Sequence, residues 1–312
     1  MSKPTQNLNQ PKGEPRTLSC SVFVWLLFPV VLLSGCASRA NPQAGETRFD
    51  PDRALEDVAT QLALGPRTPG SEASLANGEW ILQELQAAGW ETEQQEFEYR
   101  GVRMRNLIGR AGPDGPGGIL LGTHYDTRPV ADRGPDGASG PVPGANDGAS
   151  GVAVLLEIAR VLPTERLTQP VQLVFFDGED SGRIDGWPWV LGSTEFVTRG
   201  EKLPTQAIIV DMVGDADLQL PIERNSDPAL ASEVWGMAHE LGNPAFAGEP
   251  GRKILDDHVP FLQAGIAAID IIDIDYPSWH TTEDTLDKVS ADSLRQVGET
   301  LLAWLEEKAL AP

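Results

Sequence analysis

Four acidic and histidine-bearing stretches are where this chain could do chemistry. His124-Tyr125-Asp126 follows the apolar run Gly118–Gly122, and Asp147 sits in Gly-Ala-Asn-Asp-Gly-Ala-Ser-Gly, residues 144–151. Glu179 and Asp180 close Phe175-Phe176-Asp177-Gly178-Glu179-Asp180, and His280 lies in Ser278-Trp279-His280-Thr281-Thr282. Asp211 and the group Asp256-Asp257-His258 add further candidates. Carboxylates and imidazoles supply two kinds of chemistry: they carry protons, and they hold cations that prefer oxygen and nitrogen. Taken singly, most of them have an ordinary explanation. Asp147 before a helix reads as an N-cap, His124 as a satisfied core histidine, Asp256 and Asp257 as caps, and Glu179-Asp180 as a solvated pair. Taken together they do not. The chain has only four histidines, three of which fall in these stretches. Adjacent carboxylates after an apolar strand are costly unless a cation or a proton compensates.

Elements must bring these residues together. Ser71–Gly89 has apolar residues at helical spacing and ends in glycine, and Gly151–Leu162, Ala229–Leu241 and Ala291–Leu310 also read as helices. Glu93–Tyr99 and Val102–Ile108 alternate as strands do. Gly118–Gly122, Val171–Phe176, Ala207–Val210 and Ala267–Ile272 are nearly all apolar, as in strands covered on both faces. Strands alternating with helices imply an α/β fold, a mostly parallel mixed sheet flanked by helices on both faces. Ligands of such sheets bind at the carboxyl ends of strands, where most of the charged stretches stand. The Gly- and Pro-rich segment 128–144 is long enough to form a loop over that edge.

Composition narrows the function. The 312 residues are 40% apolar, enough for one large domain, and carry a formal net charge of −22. A surface so acidic repels phosphate, so no nucleic-acid partner is expected. Residues 1–20 are polar and mildly basic, Val22–Leu33 is apolar but too short to span a bilayer, and Leu33-Ser34-Gly35-Cys36 follows. That pattern resembles a bacterial lipobox. It implies a signal peptide over 1–35, a lipid-bearing Cys36 with a flexible tether over 36–50, and a catalytic domain over 51–312, exported and anchored to a bacterial membrane. Cys20 and Cys36 are the only cysteines, so that domain would hold no thiol ligand or nucleophile. No sustained heptad suggests self-association, and a monomer is expected.

From about Pro51 to Glu307 the motifs, in their order, resemble the M28 zinc peptidases and the related glutaminyl-peptide cyclotransferases. The resemblance implies zinc, one ion or two. In the cyclases one zinc is held at the positions matching Asp147, Asp180 and His280, the position of Glu179 is the acid/base, and Asp211 and Asp256 hold its hydrogen-bond network. In the two-zinc peptidases the positions of His124 and Asp211 join as ligands and Asp147 bridges. The stretch Ser181–Leu191 resembles a cyclase loop, so Trp187 and Trp189, with Trp279, would wall an apolar substrate pocket. Position 180 is Asp where animal cyclases have Glu. The substrates expected are peptide or protein N-termini: cyclisation of N-terminal Gln to pyroglutamate with loss of ammonia, or alternatively removal of the first residue. A binding module without chemistry is the remote alternative, since such a module would be expected to lose these residues.

Overall fold

The computed structural model describes residues 48–134 and 140–311. The expected signal segment and Cys36 lie outside the described residues. The chain enters the fold already at Phe49, which is buried, and Asp50 accepts hydrogen bonds from the amides of Asp52 and Arg53 to cap helix α1 (Pro51–Ala63). Ser71 caps α2 (Glu72–Ala87) through the amide of Ser74. Strands β1 (Glu91–Tyr99) and β2 (Val102–Ala111) form a hairpin whose turn residues Arg100 and Gly101 both have positive φ, 50° and 82°.

The core of the sheet then alternates: β3 (Ile119–His124), α3 (Ala149–Val161), β4 (Val171–Phe176), α4 (Leu191–Arg199) and β5 (Gln206–Asp211). After β5 come β6 (Leu220–Ile222), α5 (Pro228–Leu241), β7 (Phe246–Pro250), α6 (His258–Gln263), β8 (Ala267–Ile272) and α7 (Ala291–Ala309). The main sheet has the order β1-β2-β4-β3-β5-β8. Strands β4, β3, β5 and β8 are parallel, and β2 runs antiparallel to β4. A separate pair, β6 and β7, lies outside it.

The expected fold class holds. One set of sheet side chains, among them Leu121, Leu173, Phe175, Ile208 and Ile269, packs with α1, α2, α3, α5 and α7. The alternate set, Leu120, Val174, Phe176, Ile209 and Ala268, packs against Phe196 of α4 and Phe261 of α6. Every residue of β4 is buried, which is why Val-Gln-Leu-Val-Phe-Phe shows so little alternation. The rings of Phe176, Phe196 and Phe261 lie 6.0–6.2 Å apart, and each such pair adds about 0.5–1.5 kcal/mol beyond burial.

Helices α1, α4 and α6 and the pair β6–β7 were not read from the sequence. Helix α4 begins Leu191-Gly192-Ser193-Thr194, the last three weak helix formers. They are there because the helix must touch the sheet: a Cβ on Gly192 would lie 2.5 Å from Asn106 Oδ1 and 2.6 Å from the Asp177 carbonyl. Helix α6 has six residues and contains Pro260, so it reads as a turn.

Two features of this topology place the site. From the end of β3 the chain passes through α3 to β4 on one side, and from β4 through α4 to β5 on the other. Helices α3 and α4 lie on opposite faces, so a crevice opens at the carboxyl end of β3. Helix α3 also presses close to the sheet at Gly151, where a Cβ would meet Thr123 Oγ1 at 2.2 Å and the Val210 carbonyl at 2.5 Å. Gly151→Ala should therefore push α3 away and cost about 1–3 kcal/mol in urea unfolding. An unchanged midpoint would show that this contact does not set the helix position.

Candidate metal centre and active site

His124 is the last residue of β3. Its Nδ1–H donates to the Asp126 carbonyl at 3.1 Å; a carbonyl can only accept, so Nε2 is the nitrogen left for other work. Nε2 lies 3.0 Å from Asp211 Oδ1 at the end of β5 and 3.2 Å from Asp147 Oδ1. Burial opposes a charge on this ring, but Asp211, Asp126 and Asp147 outweigh it and hold its pKa well above the ordinary histidine value.

Asp147 is not the N-cap of α3. That position belongs to Gly148 at φ 100°, and no side chain caps the helix. The Asp147 carboxylate is turned into the crevice because its backbone is held from behind. The Asp284 carboxylate accepts from the amides of Asn146 and Asp147 at 2.8 and 3.1 Å and from the Tyr276 hydroxyl at 2.8 Å. The buried Arg67 guanidinium donates to the carbonyls of Pro143 and Gly144, both at 2.6 Å, and burial lowers its pKa to about 10.

Glu179 and Asp180 are positioned the same way, by a carboxylate that is not itself in the centre. Asp126 accepts from the amide of Glu179 on one oxygen at 3.0 Å and from that of Asp180 on the other at 3.2 Å. Asp180 Oδ1 then lies 3.0 Å from His280 Nε2, with Asp147 Oδ2 3.7 Å from the same nitrogen. His280 has a left-handed backbone, φ 58°, and its Nδ1 faces Asp132 at 3.5 Å. A non-glycine residue in that region is uncommon and is held here by its surroundings.

The result is two groups of ligand-type atoms, His124–Asp147–Asp211 and Asp147–Asp180–His280, sharing the Asp147 carboxylate. All five residues are buried. Asp147 Oδ2 and Asp180 Oδ2 are buried with no hydrogen-bond partner among the described residues. Burial, then Asp147, pushes Asp180 up to about 6; burial, then Asp211, pushes Asp256 to about 7; burial also raises Asp211. Orphaned carboxylate oxygens and raised pKa values are what a site short of positive charge shows. An oxygen- and nitrogen-binding divalent cation fits both groups, and a set of Asp and His without Cys is one that zinc accepts.

Glu179 lines the same cavity, which has a volume of about 390 Å³. Burial, followed by Asp256 and Asp180, holds its carboxyl well above the usual range, with His124 pulling the other way. Trp189 stacks on His280 with centroids 6.0 Å apart at 14°, and Trp279 lies 4.3 Å from it at 45°. Both indoles wall the cavity. Trp187 does not, contrary to the expectation from sequence. Positive φ at Arg183, Asp185 and Val190 turns the loop so that Trp187 packs edge-on against Tyr99 of the hairpin at 5.1 Å. A larger hollow of about 700 Å³ beside α2 and the hairpin contains neither ligand group. Segment 128–144, where described, borders the site: Arg128 donates to both Asp132 oxygens and to Asp180, and Ala131 and Gly140 are joined at 2.9 Å. Arg67, Arg128 and Asp284 had not been assigned roles from sequence. Arg67 stands in the turn-rich Gly65-Pro66-Arg67-Thr68-Pro69-Gly70, which gives no periodicity to read, and Asp284 shows only as one acid near His280.

The raised carboxyls set a pH dependence. Asp180 and Asp256 have folded-state values of about 6 and 7 against 3.8 unfolded. The stability they contribute is fully present below about pH 4 and is lost as pH rises through 6 to 7. Metal-stripped protein should therefore melt at a lower temperature at pH 7 than at pH 5, and added zinc should stabilise it most at the higher pH, where protons no longer compete. Calorimetry checks this; a melting temperature that rises across this window in stripped protein would contradict it.

Known proteins are similar to most of this chain. Residues 106–305 match peptidase family M28. A glutaminyl cyclase from Porphyromonas gingivalis is 35% identical, with a TM-score of 0.78 over 84% of this chain and 99% of that one. A leucine aminopeptidase precursor from Bacteroides thetaiotaomicron is 33% identical, with a TM-score of 0.75 over 81% and 96%. Bovine glutaminyl-peptide cyclotransferase is 25% identical over 287 residues, covering 74% of this chain and 76% of that protein. With its ligand-type residues set at the carboxyl edge of a matching α/β fold, the chain belongs to peptidase family M28.

Proposed function

We propose that this protein is a zinc-dependent glutaminyl-peptide cyclotransferase acting on peptides with N-terminal Gln. The observation that carries the reading is the pair of indoles, Trp189 and Trp279, set directly against His280 beside the buried Glu179. Flat apolar walls suit a planar side-chain amide and exclude water from it. The likeness to the Porphyromonas gingivalis glutaminyl cyclase across nearly all of that chain supports the same reading.

Asp147, Asp180 and His280 would hold the metal. Zinc supplies Lewis-acid polarisation of a carbonyl oxygen when bound. The reaction joins the α-amine nitrogen to the side-chain carbonyl carbon and breaks the bond from that carbon to the amide nitrogen. Glu179 takes the proton that the amine loses and gives it to the departing ammonia. A carboxyl whose pKa is raised by burial and by Asp256 is suited to both transfers. Asp211 and Asp256 line the cavity beside it. His280 is oriented by its strained backbone, and Asp126 fixes Glu179 and Asp180 through their amides.

A second reading is favoured by one observation, the His124–Asp147–Asp211 group that shares Asp147. In an aminopeptidase using both groups, Glu179 would instead deprotonate a water that attacks the first peptide bond. Mass spectrometry of a Gln-initiated peptide separates the two: loss of ammonia from an otherwise intact peptide is expected, and loss of the whole first residue would overturn the cyclase reading. Glu179→Gln should lower turnover by about 10²–10⁴-fold while retaining zinc; loss of the metal instead would mean that Glu179 is a ligand.

We also propose that the chain is exported and held to a bacterial membrane by lipid on Cys36. The short apolar run and Leu33-Ser34-Gly35-Cys36 support this. In bacteria fed radiolabelled palmitate, the full chain should take up label and Cys36→Ser should not. Equal labelling of both would refute it.

A further inference from the structure

The cavity mouth is basic although the chain is strongly acidic. Of the nineteen residues lining the cavity five are Lys or Arg and six are Asp or Glu, in a chain whose net charge is −22; the exposed ones are mostly basic. Arg128 is buried and committed to Asp132 and Asp180, and Arg252 pairs with Asp275. The other three are not committed. Arg133 lies over the Trp279 ring, 3.7 Å from its centroid, and is exposed. Arg183 and Lys253 are exposed too, and the charged ends of all three have no ion-pair or hydrogen-bond partner among the described residues. They come from three separate loops, after β3, after β4 and after β7, so their convergence is a product of the fold. The floor is lined by acids instead, with Glu179, Asp211 and Asp256. Two exposed acids of these loops, Asp132 and Asp275, are each paired with an arginine.

An acid-lined floor beneath three uncommitted cations gives the cavity a polarity along its depth. It draws in a chain whose leading end is cationic and whose following residues are anionic. An extended peptide advances about 3.3–3.6 Å per residue, so with its α-amine at Glu179 its second and third residues pass the mouth. We propose that Arg133, Arg183 and Lys253 determine specificity by selecting substrates with carboxylates at the second and third positions. This rests on the cyclase reading for where the amine sits. The recognised chemistry is a carboxylate, which an Asp or Glu side chain or the C-terminus of a very short peptide could provide. The three cations act on substrate approach and binding, and the chemistry remains with Glu179.

The test uses the full chain in detergent, loaded with zinc, and three amidated peptides: Gln-Glu-Glu-amide, Gln-Ala-Ala-amide and Gln-Lys-Lys-amide. At low salt the acidic peptide should exceed the basic one by about tenfold or more in kcat/KM, carried by KM, and the gap should shrink in 0.5 M salt as the mouth charges are screened. Arg183→Glu and Lys253→Glu should reverse the order. A folding defect would lower all three peptides alike and leave their ratio in place. Equal kcat/KM for the three peptides, or a ratio unmoved by either charge reversal, would overturn the proposal. Unamidated Gln-Ala, compared with its amide, shows whether a C-terminal carboxylate is recognised as well. Products report on the cyclase reading separately, since loss of ammonia supports it and loss of Gln refutes it. Calorimetric binding of the same peptides to the zinc-loaded Glu179→Gln variant gives the charge preference without turnover, and no preference there would also overturn the proposal.

Discussion

Like charges brought together out of water are the condition this structure has to meet. Asp147, Glu179, Asp180, Asp211 and Asp256 are all buried at the carboxyl edge of one sheet, with His124 and Arg128 as counter-charges among them. In a medium of low dielectric such a set is strongly self-repelling unless protons or a cation neutralise it. Burial accordingly drives most of these carboxyls toward their neutral forms, and two carboxylate oxygens have no partner. The same shortage of positive charge that costs stability is what a bound cation would relieve, and under the proposed mechanism it suits Glu179 to exchange a proton.

The scaffold meets this condition with a second tier of groups that never enter the centre. Asp126 and Asp284 each spend both carboxylate oxygens on backbone amides of the segments that carry the ligand-type residues. Arg67 clamps the carbonyls just before Asp147. Two buried carboxylates and one buried guanidinium thus convert flexible loops into fixed mounts. Such second-tier contacts orient first-tier ligands and commonly matter nearly as much as the ligands themselves. Gly151 contributes by subtraction, since only a residue without Cβ lets α3 approach β3 and β5.

Strands β4 and β8 were legible to the residue, because a strand buried on both faces is an uninterrupted apolar run between breakers. The helices α2, α5 and α7 were legible because each buries one stripe, and α3, buried at every residue from Ala149 to Ala159, through its helically spaced Val152, Leu155, Leu156 and Ala159. Helices α4 and α6 were not, because their sequences answer to close contacts and a proline. The charged stretches at strand ends were visible as residue types in order, but their grouping into two sets around Asp147 came from the resemblance and then from geometry. Asp147 shows why spacing alone falls short: an aspartate next to a helix start reads as its cap, but here Gly148 takes that position and Asp284 holds the Asp147 amide. Trp187 and Trp189 are two residues apart and look alike in the sequence, yet in a loop with left-handed backbone at Arg183, Asp185 and Val190 one packs on Tyr99 and the other on His280.

The account stands on a cation neutralising the shared carboxylate. Diffraction from zinc-grown crystals, recorded at wavelengths on both sides of the zinc absorption edge, tests it most directly. The account predicts an anomalous peak enclosed by Asp147, Asp180 and His280, present above the edge and lost below it. Ordered side chains at these three residues with no such peak, or a peak only elsewhere on the molecule, would contradict it.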